Sequence, residues 1–173
     1  MLPGSTSSRN RRESKVGKQT GRTTEIQRLI GRSLRSVIDL QSLGEKSIVV
    51  DCDVIQADGG TRTASITGGF VALSLAIKKY MNSNKSIQNP IKDYVAAVSC
   101  GIVRNEVLVD LDYSEDSIAE VDANFVITKK SGFSEVQATG EENTFNKNEL
   151  LEMMEKVELV SEKIFKIQKD GLE

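Results

Sequence analysis

The sequence predicts an α+β domain, and three observations carry that prediction. Apolar residues recur every three or four positions in an N-terminal, a central and a C-terminal segment. β-Branched runs lie mostly in a block between the central and C-terminal segments. Short turn signals fold those runs into hairpins rather than into alternating β–α units. A chain of 173 residues with 38% hydrophobic content suffices for one domain with a sizeable core.

Residues 1–20 (MLPGSTSSRNRRESKVGKQT) lack apolar periodicity and read as a basic arm, with residues 21–173 as the domain proper. From Thr23 or Thr24, which can cap, Ile26, Ile30, Leu34, Val37 and Ile38 recur at helical spacing, with Leu29 beside them and Gly44 after the end. Arg28, Arg32 and Arg35 form another stripe, either an ordinary solvated face or an extension of the basic arm. Residues 46–56 (KSIVVDCDVIQ) are β-branched and bounded by turns, which predicts a strand. After Ala57-Asp58-Gly59-Gly60 a buried helix is expected from about Thr61 to Met81. Its inner face holds Ile66, Phe70, Leu73, Ile77 and Tyr80, with Gly68 and Gly69 permitting close approach of a neighbour.

Asn89-Pro90 marks a turn. Residues 94–103 and 106–112 then read as two strands joined through Arg104-Asn105. Residues 112–120 form an acidic turn, and residues 121–130 pair with those beginning at Gly132 as a second hairpin. Residues 147–168 form an amphipathic helix with Leu150, Met153, Met154, Val157, Val160, Ile164 and Ile167 inward. Glu152/Lys156 and Glu162/Lys166 are supporting pairs on that helix.

Charge and composition narrow the function. The net charge of −2 hides a division: residues 1–40 carry nine cations against three anions, and the remainder 14 against 22. Such a basic N-terminal part suits a polyanion, with contacts that weaken in salt. The chain has no histidine, which removes Ser-His-Asp and Cys-His catalysis and histidine-ligated metals. Cys52 and Cys100 form no CxxC and read as reduced, buried cysteines. No run approaches the roughly 20 apolar residues of a membrane span. These features predict a cytoplasmic protein.

Two constellations could carry chemistry. Asp58-Gly59-Gly60-Thr61-Arg62-Thr63 joins an expected strand to an expected helix. Its glycines bring amides close together, the helix dipole favours an anion there, and Arg62 offers a guanidinium fork. The spacing is not that of a P-loop. The same amides could instead be satisfied by Asp58 or Thr61 acting as a cap. The second constellation is Asp110, Asp112, Glu115, Asp116, Glu120 and Asp122. Asp116 and Asp122 cannot meet on one straight element: six residues turn a helix through about 600° and span roughly 20 Å of strand. They converge only if residues 114–120 bend back. A Mg²⁺ site and a merely solvated acidic turn both fit this pattern.

Three stretches then resemble one family. GKQTGRTTEIQRLIGRSLRSVIDL, DCDVIQADGGTRTASITGGFVAL, and VAAVSCGIV with DLDYSEDSIAEVDANFVIT closely resemble the ribonuclease PH family. These are phosphate-dependent 3′ exoribonucleases that trim transfer-RNA 3′ ends, related to polynucleotide phosphorylase and exosome ring subunits. The resemblance implies a ribosomal-protein-S5 domain-2-like fold and a homohexameric ring built as a trimer of dimers. It implies phosphate binding by Arg22, Gly60, Thr61 and Arg62, with inorganic phosphate as co-substrate. Catalysis and Mg²⁺ or Mn²⁺ binding would fall to Asp116 and Asp122, and RNA binding to Arg9, Arg11 and Arg12. It further implies a preceding N-terminal segment that supplies several strands, so that Met1 reads as an internal methionine and the fold as N-terminally truncated. A non-catalytic RNA-binding ring subunit and an inactive remnant are the alternatives.

Overall fold

The computed structural model describes residues 17, 19–84, 88–141 and 143–173. Helix α1 (Gly21–Ser36) begins a turn earlier than its apolar pattern, because its first residues are exposed and leave no periodic trace. Thr20, not Thr23 or Thr24, is its cap, accepting the Thr23 N–H at 3.3 Å. Leu29 is its most buried apolar side chain, at 1% exposure, although the pattern marks it as a flank. The helix stops at Ser36 because the backbone beyond pairs with the 90–92 loop: Asp39 N–H donates to Pro90 at 2.7 Å and Lys92 N–H to Val37 at 2.8 Å. Gly44 therefore ends a separate short helix, α2 (Leu40–Leu43), capped by Asp39.

Residues 46–56 correct the sequence reading. They are extended but form no ladder, since among the described residues no strand lies beside them. Alternation is preserved: Val50, Cys52 and Val54 are half-buried, while Val49 and Ile55 are 89% and 76% exposed. The inner row lies against α3 (Thr61–Ser83), where Gly69 faces Val50 and Cys52. Gly68 faces open space, so only one glycine of the pair serves close packing. Along α3, Ile66, Phe70, Leu73 and Ile77 are buried, but Tyr80 is 37% exposed.

Four antiparallel strands follow in spatial order β2-β1-β3-β4. Strand β1 (Val95–Val103) turns through Arg104 and Asn105, both at positive φ, into β2 (Glu106–Val109). Two successive left-handed residues match the strand twist, as in a type I′ hairpin. After the short helix α4 (Tyr113–Asp116), β3 (Val121–Thr128) pairs with both β1 and β4 (Gly132–Gly140). Helix α5 (Lys147–Leu172) carries a capping box between Asn146 and Glu149. Its Glu152–Lys156 pair closes at 2.9 Å, while among the described residues Glu162 and Lys166 form no ion pair. Ile167 is 71% exposed, and the inward position falls to Gln168, whose amide donates to the Val95 carbonyl at 3.0 Å.

The sheet is covered on both faces. Val98, Cys100, Val121, Ala123 and Phe125 pack on Met153 and Val157 of α5. Val95, Ala97 and Val126 pack on α1 and α3 through Leu29, Ile66 and Phe70. Following the period of two along β1 and β3, this second face changes character toward the start of α3. It continues there as Ser99, Gly101, Asn124 and Asp122, a polar end on an otherwise apolar face. Among the described residues no helix is long and apolar enough to cross a membrane.

Candidate active site

The start of α3 is a bare helix end. Its N-cap is Gly60, at φ 66°, and no side chain caps it. Neither Asp58 nor Thr61 fills that role. Thr61 Oγ1 donates to the Asp58 carbonyl at 2.9 Å, and Thr63 Oγ1 to the Gly60 carbonyl at 2.7 Å. The Asp58 carboxylate instead accepts N–H bonds from Gly59 at 2.9 Å and Tyr113 at 2.6 Å, tying the turn to α4. Gly59 sits so close to the backbone of residues 111–112 that a Cβ there would overlap the Leu111 carbonyl oxygen. The orphan amides of the first turn therefore remain available to an anion. Because the obstacle is backbone on both sides, Gly59→Ala is expected to destabilise the chain by about 1–3 kcal/mol. Urea denaturation measures this, and an unchanged midpoint would contradict the contact.

The acidic cluster separates by use. Asp112 caps α4: its carboxylate accepts from Ser114 Oγ at 2.6 Å and Glu115 N–H at 2.9 Å, and these bonds hold it below the usual carboxylate range. Glu115 closes the capping box at 3.1 Å. Glu120 accepts from the Asn105 N–H at 3.2 Å and the Asn143 amide at 3.1 Å. The carboxylates of Asp116 and Asp122 accept no hydrogen bond among the described residues. The chain bends between them, with Ile118 and Ala119 N–H groups donating back to Glu115 and Asp116 and Glu120 N–H crossing to Ile102. Asp122 emerges on β3 opposite Gly101.

The two aspartates share one electrostatic neighbourhood. Burial pushes the Asp122 carboxyl upward; repulsion from Asp116 adds to this, Arg62 opposes it, and Glu141 and Glu25 contribute smaller repulsions. Arg62, one residue into α3, is paired with Glu25 of α1 at 3.2 Å. Arg22 lies three residues before Glu25, on the exposed first turn of α1. Thus Gly60, Thr61, Arg62, Asp116 and Asp122 gather at the polar end of the sheet, with Arg22 on the neighbouring helix end. Arg9, Arg11 and Arg12 lie outside the described residues.

Among the described residues no group of three or more His, Cys, Asp or Glu is assembled for a metal ion. Two carboxylates are nonetheless a sufficient protein share for Mg²⁺ when phosphate oxygens and water complete the octahedron. Asp116 and Asp122, mutually repelling and without hydrogen-bond donors, fit that donor set. Both cysteines are free, and burial pushes the Cys100 thiol up to about 12. Cys52 is half-buried rather than buried as its apolar surroundings predict, and its thiol is also raised.

The chain is similar along nearly its whole length to known proteins. Residues 1–78 match the model of the 3′ exoribonuclease family, domain 1, and residues 93–156 that of domain 2. Ribonuclease PH of Bacillus cereus (strain AH820) is 54% identical over 173 residues, covering 99% of this chain and 71% of that protein. Among solved structures, rice (Oryza sativa) Rrp46 aligns with a TM-score of 0.67 at 19% identity, over 90% of this chain and 68% of that one. The Archaeoglobus fulgidus exosome with RNA bound to the active site gives a TM-score of 0.60 at 19% identity, over 80% of this chain and 58% of that one. At such identities the two structures show a shared fold.

Proposed function

The chain belongs to the 3′ exoribonuclease (RNase PH) family, and from that premise we propose that it is a phosphate-dependent 3′-to-5′ exoribonuclease trimming transfer-RNA 3′ ends. Inorganic phosphate is the co-substrate and nucleophile, which suits a chain without histidine. One observation carries the residue assignment: the uncapped start of α3 presents its amides and Arg62 beside the Asp116–Asp122 pair.

Phosphate is held by Arg22, Arg62 and the amides at Gly60 and Thr61. Guanidinium groups and oriented amides offset the repulsion between this anion and the RNA backbone. A phosphate oxygen attacks the phosphorus of the last phosphodiester, and the 3′ oxygen of the preceding nucleotide leaves with the electron pair. The products are a nucleoside diphosphate and an RNA shorter by one nucleotide. Run backwards, the same site adds nucleotides from diphosphates to a 3′ end. Asp116 and Asp122 would hold Mg²⁺ or Mn²⁺, whose bound charge stabilises the reacting oxygens. Arg9, Arg11 and Arg12 grip the RNA through salt-sensitive phosphate contacts. The family resemblance supports a homohexameric ring, a trimer of dimers, for sedimentation to test.

The purified chain, incubated with 3′-extended transfer RNA and Mg²⁺, is expected to release nucleoside diphosphates only when phosphate is added. Release of monophosphates without phosphate would make the enzyme hydrolytic and overturn the mechanism. Retained RNA binding with no release under either condition would favour a non-catalytic ring subunit.

A further inference from the structure

Two side chains beneath the start of α3 have no role in the mechanism above. Ser99 of β1 and Asn124 of β3 are directly opposed in the ladder. They are 3% and 6% exposed, and the Ser99 hydroxyl is sealed from solvent with no hydrogen-bond partner among the described residues. A buried hydroxyl is almost always paired, because leaving it unpaired forfeits its hydration. Both strands are flanked by a ladder on each side, so their backbone groups offer no ready substitute.

Their placement points to what would pair them. A Cβ at Gly60 would meet Ser99 Oγ at 3.0 Å and Thr63 Oγ1 at 3.2 Å, so the buried hydroxyl faces the uncapped first turn of α3. Asn124 is two residues from Asp122 on the same face of β3. The other buried atoms without partners differ in kind. Ser74 and Ser161 sit on helices, where the carbonyl one turn back is within a rotamer's reach. Gln168 already donates through its amide nitrogen to Val95.

We propose that Ser99 and Asn124 are the polar floor of the phosphate site, donors taken up only when phosphate occupies the start of α3. The choice of an anion follows from the company they keep: the first-turn amides and Arg62 are donors without exception. The inference rests on the phosphate site described above, and its test is arranged to separate the two.

Thermal unfolding of the full chain, titrated with inorganic phosphate at constant ionic strength, reads both. Ser99→Ala and Asn124→Leu are expected to keep or raise the Tm without phosphate, since neither breaks an existing hydrogen bond. Each should weaken the phosphate titration midpoint by about tenfold, the loss of one charge-assisted hydrogen bond. Ser99→Thr, which keeps the hydroxyl, should restore it. A lower Tm without phosphate together with an unchanged midpoint would assign the pair a structural role and overturn the proposal. Should Asn124→Leu not fold, Ser99→Ala decides by itself, because it removes a single oxygen. Arg62→Ala separates the two readings: if it abolishes the parent's phosphate shift while Ser99→Ala leaves that shift intact, the site stands and its floor does not. A parent chain with no phosphate shift would bring down both.

Discussion

Arg62→Ala is expected to slow phosphorolysis by about two to three orders of magnitude, the usual cost of removing a preorganised charge from a transition state. Arg62 is the second residue of α3, so its guanidinium projects from the same helix end whose amides are uncapped. It pairs with Glu25 at 3.2 Å, with 22% of its side chain exposed. That contact keeps the fork at the site, because Glu25 also lies in the electrostatic neighbourhood of Asp122. Arg62→Lys should fall between parent and alanine, since it keeps the charge but loses the two parallel donors that match a phosphate edge. Stability should change little in either variant, as a partly exposed ion pair contributes little in water. The loss should appear as a raised KM for phosphate as well as a lowered kcat. Parent-like rates for Arg62→Ala across phosphate concentrations would remove α3 from the site.

Elements whose burial is one-sided and continuous were legible in the residues. Helices α3 and α5 follow their apolar spacing to within a few residues. Both hairpins fall where the turn residues put them. Residues 46–56 show the limit: alternation records which side chains face inward, but a strand also needs a row of backbone partners, and none lies beside it among the described residues. Caps are similarly hard to place, because Thr20 acts through its side-chain oxygen and Gly60 through its backbone turn, and neither leaves a trace in the apolar pattern. The acidic cluster could be read as six carboxylates but not divided. Only the fold reveals that Asp112, Glu115 and Glu120 bind backbone or side-chain donors while Asp116 and Asp122 do not. Ser99 and Asn124 were hidden for a different reason. Each sits in a run apolar enough to read as fully buried, and the run itself does not say which polar member lacks a partner.

Asp122→Asn is expected to stabilise the chain while lowering activity by about two orders of magnitude or more. The Asp122 carboxyl is raised above its ordinary 3.8, first by burial and then by repulsion from Asp116. A raised value means that the folded state disfavours the charged form, so the ionised carboxylate costs stability at neutral pH. The cost is complete above the folded pKa and fades as pH falls from that value toward 3.8, where the unfolded chain also becomes protonated. Asparagine has no charge to bury. Its Tm advantage over the parent should therefore be largest at neutral pH and shrink on acidification through that window. An advantage independent of pH would mean that packing and not charge is responsible. A fold that keeps two repelling carboxylates beside a bare helix end is less stable alone than it could be. Within the chain Arg62 offsets part of that cost at Asp122.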